Sequence, residues 1–261
     1  MIIYILIGLI VGGITGITGS SGVLVLIPIF TTFFDIPLHV VLGTSLFVDV
    51  IASSSVSYSY YRAKNIDIKE SLWIIIGALV GAQIGSYYVV SVSRIFIMVI
   101  IAICMILFGF KMFKSGLSKN QNDNLKVPEK FSVHLRTPVG MVIMGLIIGT
   151  ITGIFGAGGG LSVFIILYSI LGFDIKRAVG TSSFVMLLTA VSGVWGYSQR
   201  GNVDFDIGLI VGISAAVGGA ITSVFANKVN EKFLARLIGA FFVFFAFVMI
   251  FLKVLTPILF N

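Results

Sequence analysis

The sequence predicts an all-α polytopic membrane protein built from two homologous repeats, and three observations carry that prediction. Of its 261 residues, 58% are hydrophobic and 10% charged, whereas a soluble domain carries about 25% charged residues; the mean hydropathy is +1.14. Apolar runs long enough to cross a hydrocarbon core of roughly 30 Å recur near 37–61, 68–90, 95–113, 203–226 and 233–255. Segments 8–24 (GLIVGGITGITGSSGVL) and 145–161 (GLIIGTITGIFGAGGGL) read as one segment written twice, 137 positions apart. Gly8, Leu9, Ile10, Gly12, Ile14, Thr15, Gly16, Ile17, Gly19, Gly22 and Leu24 meet identical residues without a gap. The same offset pairs Gly43-Thr44-Ser45 with Gly180-Thr181-Ser182, Tyr60 with Tyr197, Asn65 with Asn202, Asp67 with Asp204 and Gly81 with Gly218.

Taken in order, the chain divides into a first membrane repeat (1–113), a polar linker (114–136) rich in Lys and Asn and carrying Pro128, and a second membrane repeat (137–261). Each repeat holds a glycine-broken element followed by three spans. The amino terminus enters the first element directly, with no basic stretch ahead of it and no clear small-residue cleavage site, so it reads as a retained membrane segment. The broken element, 2–34, exceeds one straight crossing at 1.5 Å per residue, yet the piece after the break, 23–34, covers only about 18 Å. Either the two pieces form one bent, half-spanning crossing, or the second turns back as a re-entrant hairpin. A bent crossing gives each half four spans and parallel repeats; a hairpin gives three and inverted repeats.

Lysine and arginine collect on the cytoplasmic side, and they favour inversion. With both termini outside, an inverted arrangement leaves only Arg94, Arg200 and Lys253 outside and puts 14 of the 17 Lys and Arg residues inside. A parallel arrangement moves Lys176, Arg177, Lys228, Lys232 and Arg236 out and Arg200 and Lys253 in, which lowers that number to 11. The sequence thus predicts inverted topology in a multi-pass protein of the cell membrane.

The candidate site lies at the breaks. Gly19-Ser20-Ser21-Gly22 and Gly156-Ala157-Gly158-Gly159-Gly160 lack bulky side chains, so they expose backbone amides and permit left-handed dihedrals. Such breaks survive in a bilayer only where they are buried in protein or line a polar cavity. A short helix starting past Gly22 would turn unpaired N–H groups and its positive dipole end toward the break, a seat for an anion. Pro28 fits that start, since a first-turn proline loses no helical bond. Scattered glycines such as Gly8, Gly12 and Gly145 read instead as close helix packing.

Thr44-Ser45 and Thr181-Ser182-Ser183 set hydroxyls near the start of the span after each break. Alone, each would bond a carbonyl one turn back; their twofold recurrence beside the breaks makes them substrate-binding candidates as well. Asp49 is the one acid well inside a predicted span, and its repeat partner is Met186. Intramembrane acids mark ion or proton paths, so Asp49 reads as a proton-coupling residue, or as a protonated structural aspartate bonded to Ser45 or Ser53. His39 reads as interfacial and Gln83 as packing or pore. Trp73, Trp195, Tyr58, Tyr60, Tyr61 and Tyr197 read as interfacial anchors, and Asn65 and Asn202 as turn residues.

Composition also excludes classes. The lone Cys104 excludes a disulfide framework and a multi-cysteine metal site, and the sequence implies no cofactor. The net charge of +7 falls in loops without an aromatic-basic motif, so nucleic acid is not a partner. The lipid bilayer is. Only His39 and His134 could serve a histidine-dependent catalytic constellation, and no GxxxxGK[ST] loop is present for ATP. The chain is therefore read as a secondary transporter and not an enzyme, driven by protons or membrane potential. Its alternatives are a passive anion channel and a non-transporting sensor or assembly subunit; no oligomeric state is implied.

The paired Gly-rich segments, the Gly-Thr-Ser after each, and the turns Lys64-Asn65-Ile66-Asp67 and Gly201-Asn202-Val203-Asp204 closely resemble the TauE/SafE family of sulfite and organosulfonate exporters, across both halves of the chain. The resemblance implies export of small sulfur-containing anions such as sulfite or sulfoacetate by alternating access, with substrate held by the two breaks and by Thr44, Ser45, Thr181, Ser182 and Ser183. The first break departs from the glycine-richer second by carrying Ser20, Ser21 and Val23 where Ala157, Gly158 and Gly160 stand.

Overall fold

The computed structural model describes residues 1–88, 94–117, 137–155 and 159–250. Among these residues it is all helical, with ten helices. The first half contains α1 (Ile2–Thr18), α2 (Val23–Phe33), α3 (Leu38–Arg62), α4 (Ile68–Tyr88) and α5 (Arg94–Leu117). The second contains α6 (Pro138–Phe155), α7 (Gly160–Ser169), α8 (Ile175–Ser198), α9 (Phe205–Lys228) and α10 (Glu231–Ile250). Each of α7 to α10 begins 137 positions after its counterpart, and α6 begins within one residue of that offset. Left-handed backbone falls on Asp35 and Gly172, and on Lys64 and Gly201, pairs at the same spacing.

Two boundaries differ from the sequence reading. Helix α5 runs on to Leu117, into the stretch read as linker, because 114–117 still has helix-forming residues and no breaker before Gly116. The helix Ile175–Ser198 is not among the five apolar runs, since its small and hydroxyl residues dilute a hydropathy window; only the repeat implied it. It is nonetheless one of three described helices long and apolar enough to cross a membrane, with Leu38–Arg62 and Phe205–Lys228.

Glycines set the packing. Methyl groups built at Gly8, Gly12 and Gly16 would meet the carbonyl oxygens of Val211, Ala215 and Gly219, and those at Gly145, Gly149 and Gly153 the carbonyls of Ile74, Ala78 and Ala82. The first helix of each half therefore lies backbone to backbone against the fourth helix of the other half, running parallel to it. Helix α3 also runs parallel to α9, with Phe47 on Gly208, Ile51 on Gly212 and Ser55 Oγ donating to Ala216 O at 2.9 Å. Likewise α8 follows α4, with Ser192 Oγ donating to Leu79 O at 3.2 Å and Gly196 beside Ser86.

Equivalent helices, by contrast, oppose one another. In the α3/α8 pair Gly43 sits on Tyr197, Leu46 on Gly193 and Tyr60 on Gly180; in the α5/α10 pair Gly109 faces Gly239 and Gly116 faces Arg236. Both pairs are antiparallel.

Because α1 and α3 both follow α9, the chain returns between them through α2. Side contacts agree: Gly22 lies on Val11, and the Tyr4 ring is 5.9 Å from Phe30 and 5.1 Å from Phe34. The first broken element is thus an antiparallel hairpin, not a bent single crossing. The same logic applies to α6, α7 and α8, with Gly159 folded against Thr152 and Ile148. The hairpins open toward opposite ends of the molecule.

Candidate functional site

The first helix ends because Gly19 adopts φ 64°, a left-handed cap whose N–H returns to Thr15 O; glycine takes this conformation without the Cβ penalty. Ser20 then folds back, its N–H reaching Thr18 Oγ1 at 3.1 Å and its hydroxyl lying 2.6 Å from the same atom. Helix α2 restarts with Gly22 at its N-cap and α7 with Gly159, neither having a side-chain cap. Pro28 is the sixth residue of α2, beyond the first turn, so it does not mark the helix start; its missing N–H instead leaves a gap in the ladder one turn later.

The structure brings the tips of the two hairpins together. A methyl group at Gly160 would lie 2.4 Å from Gly19 O, 3.0 Å from Ser20 Cα and 2.8 Å from Met186 Sδ. Gly19, Ser20, Ser21, Gly22, Gly159 and Gly160 are all buried; Gly156, Ala157 and Gly158 lie outside the described residues. Two uncapped helix starts and the carbonyl end of α1 therefore converge inside the protein.

Asp49 belongs to this cluster. It is fully buried midway along α3, and Ser21 Oγ donates to its Oδ2. Of the two serines proposed as its partners, Ser53 Oγ donates to the Asp49 carbonyl and Ser45 Oγ to Leu42 O at 2.8 Å. The link between Asp49 and the first break has no local sequence signal, because 28 residues separate the two side chains.

Of the other candidate hydroxyls, Ser182 touches the first break. Its Oγ lies 3.1 Å from Gly19 O and 3.0 Å from Val179 O. Ser183 Oγ donates to Val179 O at 2.8 Å in its own helix. Thr44 and Thr181 are committed elsewhere. Thr44 Oγ1 accepts the Asp204 N–H at 2.9 Å and Thr181 Oγ1 the Asp67 N–H at 3.0 Å, so each threonine holds the turn before the fourth helix of the other half. That explains why the Gly-Thr-Ser and Asn-x-Asp patterns recur together. The Gly43 and Gly180 positions admit the carbonyls of Asn202 and Asn65 from the same turns.

Two tyrosines read as interfacial anchors are core residues. Tyr60 and Tyr197 are 0% and 1% exposed, and their hydroxyls donate to Gly16 O and Gly153 O, each at 3.1 Å. Tyr58, Tyr61, Trp73 and Trp195 do face outward. His39 is exposed, and Gln83 Nε2 bonds Ser192 O and Oγ at 2.7 and 2.9 Å. A lateral groove of about 470 Å³ is lined by Phe47, Val50, Gln83, Val191, Ser192, Val194, Trp195 and Ser198. Gln83, read as packing or pore, lines it, and none of the substrate-binding candidates is among these residues. Among the described residues no three His, Cys, Asp or Glu side chains gather as a metal site would need.

Residues 4–249 match the family described as Sulfite exporter TauE/SafE. The chain is similar to the probable membrane transporter protein YdhB of Bacillus subtilis, at 29% identity over 89% of this chain and 93% of that protein. It is similar also to YunE of the same organism, at 27% over 88% and 90%, and to the probable membrane transporter protein MJ0441 of Methanocaldococcus jannaschii, at 30% over 88% and 85%. No solved structure matches.

Proposed function

The chain belongs to the sulfite exporter TauE/SafE family, a family of membrane transporters, and from that premise we propose that it exports small sulfur-containing anions such as sulfite or sulfoacetate across the cell membrane by alternating access. The observation that carries the reading is the meeting of the hairpin tips. Gly160 lies against Gly19 and Ser20, where the uncapped starts of α2 and α7 direct N–H groups and positive dipole ends inward. An anion placed there meets donors without a fixed cation that would hold it permanently.

The repeats are inverted in this reading. Antiparallel α3/α8 and α5/α10 support that arrangement, because equivalent helices of repeats related about the membrane normal would run parallel. Each hairpin then enters from its own side and stops at the midplane, the pattern of transporters with broken helices.

Substrate contacts come from the backbone of 19–22 and 156–160 and from Ser182, with Ser45 and Ser183 able to join after rotating away from their own helix carbonyls. Thr44 and Thr181 hold the frame in the structure described, and reach substrate only if their turns open. Asp49 is the proton-coupling residue. Through Ser21 its protonation state is felt directly at the first break, while Met186 leaves the second break without that control.

Reconstitution into liposomes tests the reading. Uptake of labelled sulfite, sulfoacetate and sulfate, with and without a pH gradient, should saturate and show counterflow for at least one of them. Silence for all three overturns the anion assignment, and flux without saturation or counterflow makes the protein a channel.

A further inference from the structure

Where α3 ends and α8 begins, four polar contacts gather, three of which tie the halves together and one of which, from Lys176, joins α8 to α9 within the second half. Arg177 Nη2 donates to Asp67 Oδ2 at 2.5 Å, and Thr181 Oγ1 accepts the Asp67 N–H at 3.0 Å. Lys176 Nζ donates to Asn227 O at 2.8 Å, and Asn65 Nδ2 to Asn227 Oδ1 at 2.6 Å. The guanidinium of Arg177 also lies 5.0 Å from the centre of the Phe173 ring, which restricts its rotation.

The 137-residue offset generates the corresponding place at the opposite end, where α8 ends and α3 begins. Among the described residues the threonine contact recurs there, Thr44 Oγ1 accepting the Asp204 N–H at 2.9 Å, and the ion pair does not. Val40 stands where Arg177 does, His39 where Lys176 does and Val90 where Asn227 does. Asp204 spends a carboxylate oxygen on its own helix, accepting the Ile207 N–H at 2.9 Å. Arg200 does reach across at that end, donating to Ser86 O and lying 5.5 Å from the centre of the Tyr87 ring, but its partners are a neutral carbonyl and a ring, so this contact is not an ion pair.

An alternating-access protein with equal closures at both ends would divide its time evenly between them; an ion pair at one end with no counterpart among the described residues of the other shifts that division. We propose that the Arg177–Asp67 cluster is a one-sided latch, so that the resting protein is closed at the Arg177 end and its hairpin tips are reached first from the other end. This rests on the alternating-access reading above, but not on the identity of the substrate.

Accessibility of a buried thiol reads the latch without any transport assay. Ser183 is fully buried in α8 at the level of the hairpin tips, between Ser182, which touches Gly19, and Met186, which touches Gly160, so Ser183→Cys in a Cys104→Ala background of the full chain serves as the probe. A membrane-impermeant maleimide is applied separately to each face of oriented vesicles. Labelling from the Arg177 face should be the slower of the two. Asp67→Asn and Arg177→Gln should each raise it about two- to fivefold, the ratio a partly exposed ion pair supports, and the exchanged pair Asp67→Arg with Arg177→Asp should bring it back. Raising the salt concentration should speed labelling of the parent and leave Asp67→Asn unchanged, since screening weakens only the intact pair. The latch is overturned if the single variants label like the parent from that face, if they label faster from both faces alike, or if the exchanged pair behaves as the single variants do.

Discussion

A carboxyl group with no exposure, held by a serine from a chain break, is costly to bury unless neutralised or bonded, and Asp49 meets that condition through Ser21. Asp49→Asn keeps the size and a polar contact for Ser21 but cannot titrate. It should abolish the dependence of flux on the pH gradient while leaving substrate binding within a few fold, measured by counterflow in liposomes; an unchanged proton-driven flux removes Asp49 from the mechanism. The tyrosine pair makes a separate point about stability. Gly16 sits in the last turn of α1, where carbonyls lack helical partners, and Tyr60 supplies one to it as Tyr197 does to Gly153. Tyr60→Phe and Tyr197→Phe each remove one hydroxyl and strand a buried carbonyl, at a cost of about 1–3 kcal/mol. Both should lower the thermal midpoint in detergent by similar amounts, because each removes the same bond. Aromatic residues near span ends ordinarily mark interfaces, and sequence alone could not separate Tyr60 from Tyr61; only the recurrence of Tyr60 at Tyr197, without any recurrence of Tyr61, hinted at a shared partner.

At the scale of helices, glycine spacing of four residues turns a helix face into a flat strip on which another backbone can lie. The strips Gly8-Gly12-Gly16, Gly77-Gly81-Gly85 and Gly145-Gly149-Gly153 all lie in such contacts. A methyl group at Gly12 would stand 1.8 Å from Ala215 O, backbone that no rotamer change can move, whereas one at Gly13 would meet only Thr222 Cγ2 at 3.6 Å. Gly12→Ala should therefore cost roughly 1–3 kcal/mol by overpacking, and Gly149→Ala the same against Ala78. Gly13→Ala should stay within about 1 kcal/mol of the parent, on the helix-propensity scale. Thermal unfolding of the three variants in one detergent checks the contrast. The element boundaries were legible because glycine breaks, the Asn-x-Asp turns and the repeat punctuate the chain, and the packing role of Gly8, Gly12 and Gly145 was legible from their spacing. Which helix they pack on was not, since α1 meets α9 across the other half. The role of Thr44 and Thr181 was hidden for the same reason: a hydroxyl that caps a turn 160 or 114 residues away looks, in sequence, like one free to bind a solute.

Over the whole molecule, the directions of the helices decide which helix ends share a side. Helix α1 begins at the end where α3 begins, since both run parallel to α9; only two residues separate α10 from the end of α9, so it finishes at that same end, and α5, which opposes it, finishes at the other. Helix α5 consequently finishes at the other end, where α6, parallel to α4, begins. The cationic residues fall the same way: Arg62, Lys64, Lys69, Lys176, Arg177, Lys228 and Lys232 all lie at the end where α5 finishes and α6 begins, and the positive-inside rule predicts that this end faces the cytoplasm. Charge and packing direction are independent lines here, one a matter of insertion and the other of helix contact. A single cysteine at Lys126 and another at Asn261, in the Cys104→Ala background, should react with impermeant maleimide from opposite faces of intact cells and inverted vesicles. The Lys126 probe should label only in inverted vesicles. Reaction of both from one face would mean that each half crosses the membrane an even number of times, which would make the repeats parallel, separate the two hairpin tips onto a common side, and remove the midplane meeting point on which anion binding depends.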